Sequence, residues 1–97
     1  MNTILTNHAQ ERLKERHGVK NKKKAQHLCE NAYERGVKSE HAKGALKDWI
    51  TRKSRPGSYI SCYQNLAFVF SAANECITVL QIPPVIARNM KNLILPA

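Results

Sequence analysis

Residues 58–82 constrain this chain more than any other stretch. From Ser58 to Tyr63, Tyr59, Ser61 and Tyr63 fall on one side and Ile60 and Cys62 on the other, the period-two pattern of a strand. Gln64-Asn65 is a tight turn. Leu66 to Ser71 is a nearly continuous apolar run, as in a central strand buried on both sides. Ala72-Ala73-Asn74 turns the chain again, and Cys76 to Ile82 is rich in β-branched residues until Pro83-Pro84 stops it. Connections this short join antiparallel neighbours, so the expectation is a three-stranded antiparallel meander.

Upstream the period changes from two to three and four. Met1 to Leu5 reads as a short extended lead-in, with Thr6 or Asn7 as cap of a first helix that Gly18 ends. Asn21 caps a second helix whose apolar positions Ala25, Leu28, Cys29, Ala32 and Tyr33 keep the i, i+3, i+4, i+7, i+8 spacing up to Gly36. Ser39 is the expected cap of a third helix from Glu40 to about Lys53, with Ala42, Leu46, Trp49 and Ile50 on one face and a soft spot at Gly44, where the helix could equally begin. Ser54-Arg55-Pro56-Gly57 breaks the chain but is too short to separate domains. After Pro84, Val85, Ile86, Met90, Leu93 and Ile94 suggest a short amphipathic helix or an apolar tail. The expected architecture is a single α+β domain over residues 1–97. Its order is α-α-α-β-β-β plus the C-terminal piece, with the helices packed on one face of the meander.

Charge narrows the partners. The chain carries 16 Lys/Arg against 7 Asp/Glu, a formal +9, which favours polyanions: nucleic acid, an acidic protein or an anionic surface. Residues 1–56 hold 14 of those 16 cations and six of the seven acids, so the helical half is the charged half. No run approaches the roughly 20 apolar residues of a membrane span, and the first residues lack a secretory h-region. Membrane partners are therefore not expected. Cys29, Cys62 and Cys76 are odd in number, widely spaced and in apolar contexts; they read as reduced core residues of a cytoplasmic protein. Without a CxxC or HExxH pairing, neither a metal site nor a cofactor is expected.

Within the first helix, His8, Arg12 and Arg16 recur every four residues. Each such step turns only about 40° around a helix, so the three form one slowly drifting stripe. Lys14 lies beside it, and Lys20, Lys22, Lys23 and Lys24 gather at the start of the second helix. The helix dipole disfavours cations there by roughly 0.3–1 kcal/mol each, and a bound phosphate would reverse that sign. These five lysines are the expected nucleic-acid-binding positions; the plain alternative is a solvated run. His17 reads as a turn residue, His27 as a solvated one and Trp49 as core. Tyr59, Ser61 and Tyr63 share a sheet face that either stacks on bases or covers a helix.

The pattern His8-Ala9-x-x-Arg12-x-x-x-Arg16, followed by an amphipathic helix and by Ile77-Thr78-Val79, resembles that of small bacterial and phage proteins placed near the RelE/ParE-like toxins and BrnT. The likeness covers roughly residues 5–36 and 58–82. This chain departs from it in having His17-Gly18 after Arg16, where a glycine often follows directly, and in the helical insert over residues 39–53. The resemblance implies a compact RelE-like toxin domain. Many relatives cut RNA without metal, others poison gyrase, and some are inactive. It also carries His8, Arg12 and Arg16 over as site positions.

Metal-independent RNA cleavage by 2′-hydroxyl attack needs a base, an acid and cations on the phosphoryl oxygens. Histidine titrates near neutrality and arginine grips phosphate with two bonds, so His8 with Arg12 and Arg16 makes half of such a site. His41 and Tyr63 are the candidates for the second proton carrier. Two functions are thus expected. One is a toxin–antitoxin ribonuclease held by an acidic antitoxin. The other is a non-catalytic basic module, of phage or mobile-element origin, that binds nucleic acid or an acidic protein. Convergence of His8 with another titratable group around one phosphate-sized pocket separates them.

Overall fold

In the computed structural model, which describes residues 4–96, the chain runs β1 (Ile4–Leu5), α1 (Asn7–His17), α2 (Lys22–Arg35), a 3-10 turn (Ser39–His41), α3 (Gly44–Lys53), β2 (Ser58–Tyr63), β3 (Leu66–Ser71), β4 (Glu75–Gln81), α4 (Pro84–Arg88) and a second 3-10 turn (Met90–Leu93). The protein is α+β, but the three-stranded antiparallel meander is incomplete. The sheet has four strands in the order β1-β4-β3-β2. β1 runs parallel to β4, with Ile4 opposite Glu75 and Leu5 opposite Cys76. The lead-in segment contributes this strand. Two residues carry no alternation to read, and a parallel neighbour some 70 residues away leaves no turn signal between the two.

The helices also do not share one face. Along β3, Phe68 and Phe70 join a cluster with Ala9 and Leu13 of α1 and Ala25, Leu28, Cys29 and Ala32 of α2. Ala67 and Val69, on the opposite side of the same strand, pack with Leu46, Trp49 and Ile50 of α3 and Ile86 of α4. The sheet is therefore the middle of three layers. That is what an uninterrupted apolar strand requires: side chains pointing both ways each need a lid. Fully burying a large aliphatic or aromatic side chain such as Leu13, Phe68 or Phe70 contributes about 2 kcal/mol.

Other boundaries follow local chemistry. α3 begins at Gly44, whose φ of +59° suits a residue without Cβ, and Ser39 opens the separate 3-10 turn instead of capping α3. Between β3 and β4 the register slips at Val69/Phe70: Val69 faces Thr78 and Phe70 faces Cys76, so Ile77 bulges out of the ladder. Val37 bridges to Cys62 on the outer side of β2. Just before it, Gly36 is pressed against the sheet. A Cβ there would overlap the Ser61 hydroxyl and the Ala32 carbonyl, and Ser61, the buried polar side chain of β2, donates its hydroxyl hydrogen to that same carbonyl.

Candidate functional site

Thr6 sets the first helix in place. Its Oγ1 accepts from the Ala9 N–H at 3.2 Å, a standard N-cap, and donates to the Cys76 carbonyl at 2.9 Å. Ala9 and Leu13 then face the sheet, which turns His8, Arg12 and Arg16 to the flank and outside of α1. His8 and Arg16 are exposed and Arg12 is half-buried. Gly18, at φ +67°, ends the helix, and the Val19 N–H reaches back to the Leu13 carbonyl at 3.0 Å.

The stripe makes one contact of its own: Arg12 Nε donates to His8 Nε2 at 3.3 Å. In that arrangement the Nε2 lone pair is engaged by the guanidinium and the ring proton sits on Nδ1. A base needs that lone pair free. Neither candidate for the second proton carrier joins it. Tyr63 lies half-buried at the far end of β2, packed on the α1/α2-side cluster. His41 is exposed in the first 3-10 turn, next to the bridge from Ala42 to Ile94, and its carbonyl accepts from the Leu95 N–H. Among the described residues no hydrogen bond joins His8 to either. A shallow hollow of about 280 Å³ does lie on α1, but it is lined by Asn7, Gln10, Glu11 and Lys14. It therefore sits on the neighbouring face and includes a carboxylate.

The lysines stand free of the core. Lys14, Lys20, Lys22, Lys23 and Lys24 are all exposed on the α1/α2 layer. Asn21 Oδ1 accepts from the Lys23 and Lys24 N–H groups at 2.8 and 3.3 Å. The first-turn amides are thus partly satisfied from within, and an anion approaching α2 meets ammonium groups more than backbone N–H. At the turn between the helices, His17 Nε2 is buried without a hydrogen-bond partner among the described residues. Burial, and then the Arg16 charge beside it, push the pKa of this imidazole below its ordinary value.

The sheet aromatics are occupied. Tyr59 stacks on Phe70 at 5.4 Å and Tyr33 meets the same ring edge-on at 5.9 Å, while the Tyr59 hydroxyl bonds Asn74 Oδ1 at 2.9 Å. Burial raises the Tyr59 pKa. This face covers helices and does not offer itself to bases. The cysteines are free and buried. A thiol–thiol hydrogen bond with Cys29, and burial after it, push Cys76 far up, and burial pushes Cys62 up to about 11. Neither Cys62 nor Cys76 is poised as a thiolate nucleophile. Among the described residues no group of three or more His, Cys, Asp or Glu is placed to hold a metal. No helix there is long and apolar enough to cross a membrane.

Sequence reasoning misses a second cationic region. Lys43, Lys47, Arg52, Lys53 and Arg55 are exposed on or next to α3, on the other side of the sheet. Lys53 and Arg55 border a trough of about 480 Å³ floored by Val69, Ile77, Thr78 and Leu80. Its signal is the Arg52-Lys53-x-Arg55 run, which reads equally well as a helix end and a break. Ile77, which lines the trough, sits at a bulge that alternation does not reveal. Comparison with protein-family models, with curated proteins and with solved structures finds no match for this chain.

Proposed function

We propose that this chain is a nucleic-acid-binding module that grips phosphates through the outer surface of α1 and the beginning of α2. The observation that supports it best is the collection of Arg12, Lys14, Arg16, Lys20, Lys22, Lys23 and Lys24 on one layer, exposed or half-exposed, with His8 engaged by Arg12 and no second proton carrier bonded to it. Mobile cations along helical surfaces neutralise a phosphate backbone without needing a shaped pocket. With the sheet tyrosines packed into the core, binding follows the backbone and is largely indifferent to base sequence. The reading sets the protein in the cytoplasm, where three buried thiols stay reduced. The likeness to RelE/ParE-like toxins supports a second reading, a metal-independent ribonuclease. What bears on it structurally is an exposed imidazole, His8, beside the guanidinium of Arg12 on α1; cleavage through His8 requires Arg12 to release the His8 Nε2.

One titration tests the first reading. Affinity for a labelled single-stranded RNA should fall steeply between roughly 50 and 200 mM salt. Replacing Lys22, Lys23 and Lys24 together with Gln should lower the slope of log K against log salt by about 2, because each lost phosphate contact removes about 0.7. The same change should leave the fold as stable or slightly more so, since it removes cations from a helix start. A flat salt response would sink the nucleic-acid reading. RNA cut in EDTA to fragments ending in 2′,3′-cyclic phosphate, and left intact by His8→Ala, would replace it with the ribonuclease.

A further inference from the structure

The cations of this chain are sorted onto two opposed faces with an almost uncharged layer between them. The helices α1 and α2 and the turn joining them hold eight, from Arg12 to Arg35, against the carboxylates Glu11, Glu15, Glu30 and Glu34, a balance of +4. On the other side of the sheet, Lys43, Lys47, Arg52, Lys53 and Arg55 belong to α3 and its flanks. Arg88 and Lys91 join them from α4 and the turn that follows it. Only Glu40 and Asp48 oppose these seven, a balance of +5, and all seven are exposed. Leu46, Trp49, Ile50 and Ile86 hold this layer on the sheet, which leaves its charged positions to solvent. With α3 and α4 at ten and five residues against eleven and fourteen for α1 and α2, the smaller layer is the more densely charged. Between the two, residues 56–87 supply most of the sheet and contain one charged side chain, Glu75. Each face therefore gathers like charges whose mutual repulsion the fold leaves standing and a polyanion would relieve.

We infer that the α3/α4 face is a second surface for phosphate backbone, so that one molecule holds two separate stretches of nucleic acid, one on each side of the sheet. The inference rests on the nucleic-acid reading of the α1/α2 face and extends it from holding to bridging. The ten residues of α3 run about 15 Å, the span of about four successive phosphates on one strand of a duplex. Cations distributed over that length suit a polymer of evenly spaced charge and need no shaped pocket. A single duplex cannot serve both faces. The body measures 33 × 26 × 23 Å, whereas a DNA duplex stays nearly straight over lengths well below its persistence length of about 150 base pairs. A rod lying on one face leaves the opposite face free. A path around the body would also cross the sheet layer, whose strands carry no cation and one carboxylate. A second copy of this chain fits the α3/α4 face poorly, because it would bring its own +9 against the same cations.

The test uses the intact protein, a DNA duplex of about 20 base pairs fixed to beads, and a dye-labelled duplex of the same length and unrelated sequence in solution. The wild type should carry the labelled duplex onto the beads, and excess protein should reverse this by giving each duplex its own molecules. The variant with Lys47→Gln, Arg52→Gln, Lys53→Gln and Arg55→Gln alters exposed positions alone. Its carry-over should fall at least about tenfold. Its circular dichroism should match the wild type, and in a gel shift it should still bind one duplex through α1 and α2. The variant with Lys22→Gln, Lys23→Gln and Lys24→Gln should also lose carry-over while binding one duplex through the α3/α4 face. Carry-over that survives the change on α3 overturns the inference, because it then comes from self-association or from the α1/α2 face alone. If the wild type binds nucleic acid and never carries the second duplex, the inference falls and the nucleic-acid reading stands. If it binds none, both fall.

Discussion

One face of the sheet is closed and the other is left partly open, although both are made by the same strands. On the first, α1 and α2 supply 25 helical residues and cover all four strands; Phe68, Phe70, Cys76 and Val79 are fully buried there. On the second, α3 has ten residues and α4 five. Ala67 and Ile60 are sealed, but Thr78 and Leu80 remain half-exposed beside Ile77. A strand can thus be sealed on one face and partly open on the other, and what decides is how much helix the chain devotes to each side. The polar cargo divides differently: both layers carry their cations outward, so the closed face has only its helical exterior to offer, whereas the open face also offers its sheet.

The largest effect should come from the closed face. Phe68→Ala removes a ring with no exposed surface and should cost about 4 kcal/mol in urea unfolding, whereas Leu80→Ala on the open face should cost about 1 kcal/mol. Equal losses would mean that the trough is as tightly packed as the core. Next comes the seam where α2 meets β2. Gly36→Ala drives a methyl into Ser61 Oγ and the Ala32 carbonyl and should cost about 3 kcal/mol. Combined with Ser61→Gly, which removes the Ser61 overlap but leaves that with the Ala32 carbonyl, the cost should shrink in part, so a double-mutant cycle should show coupling. Additive losses would place the strain elsewhere. The smallest effect is one of pH. The folded-state pKa of His17 lies below its unfolded value near 6.5, so the unfolded chain binds the proton more readily. Stability should be complete above that value and decline as pH falls through it toward the lower folded pKa. Unfolding midpoints at pH about 7.5 and about 5.5 should therefore differ more in the wild type than in His17→Gln; identical differences would remove the burial of Nε2 from the account.

The elements that announce themselves by local chemistry are legible in the sequence. Asn21 and Gly36 bracket α2, the Gln64-Asn65 and Ala72–Asn74 turns set off the three long strands, and Tyr59, Ser61 and Tyr63 do share one side. What is not legible depends on partners remote in sequence. Ile4 and Leu5 are a strand only because Glu75 and Cys76 lie beside them. α3 covers the side opposite α1 and α2, and nothing in its Leu46–Trp49–Ile50 stripe states which sheet face it will meet. The same limit applies to the candidate site. Helical spacing correctly places His8 and Arg12 within contact, because neighbours at i and i+4 need no tertiary information. It cannot say whether His41 or Tyr63 comes near, and the fold brings neither into a bond with them.

The bond from Thr6 to Cys76 spans 70 residues. On a growing chain, α1 is made well before its docking partner, because α2, α3, β2 and β3 all lie between it and β4. Until β4 appears, Ala9 and Leu13 have no strand to cover and α1 stands as a short helix of marginal stability by itself. Most of the basic surface is therefore displayed, in an unanchored form, before the globule closes. Closing that span is a non-local step, which costs more entropy than a turn between neighbouring elements. At this end of the molecule, a helix that is made first is anchored by a strand that is made later.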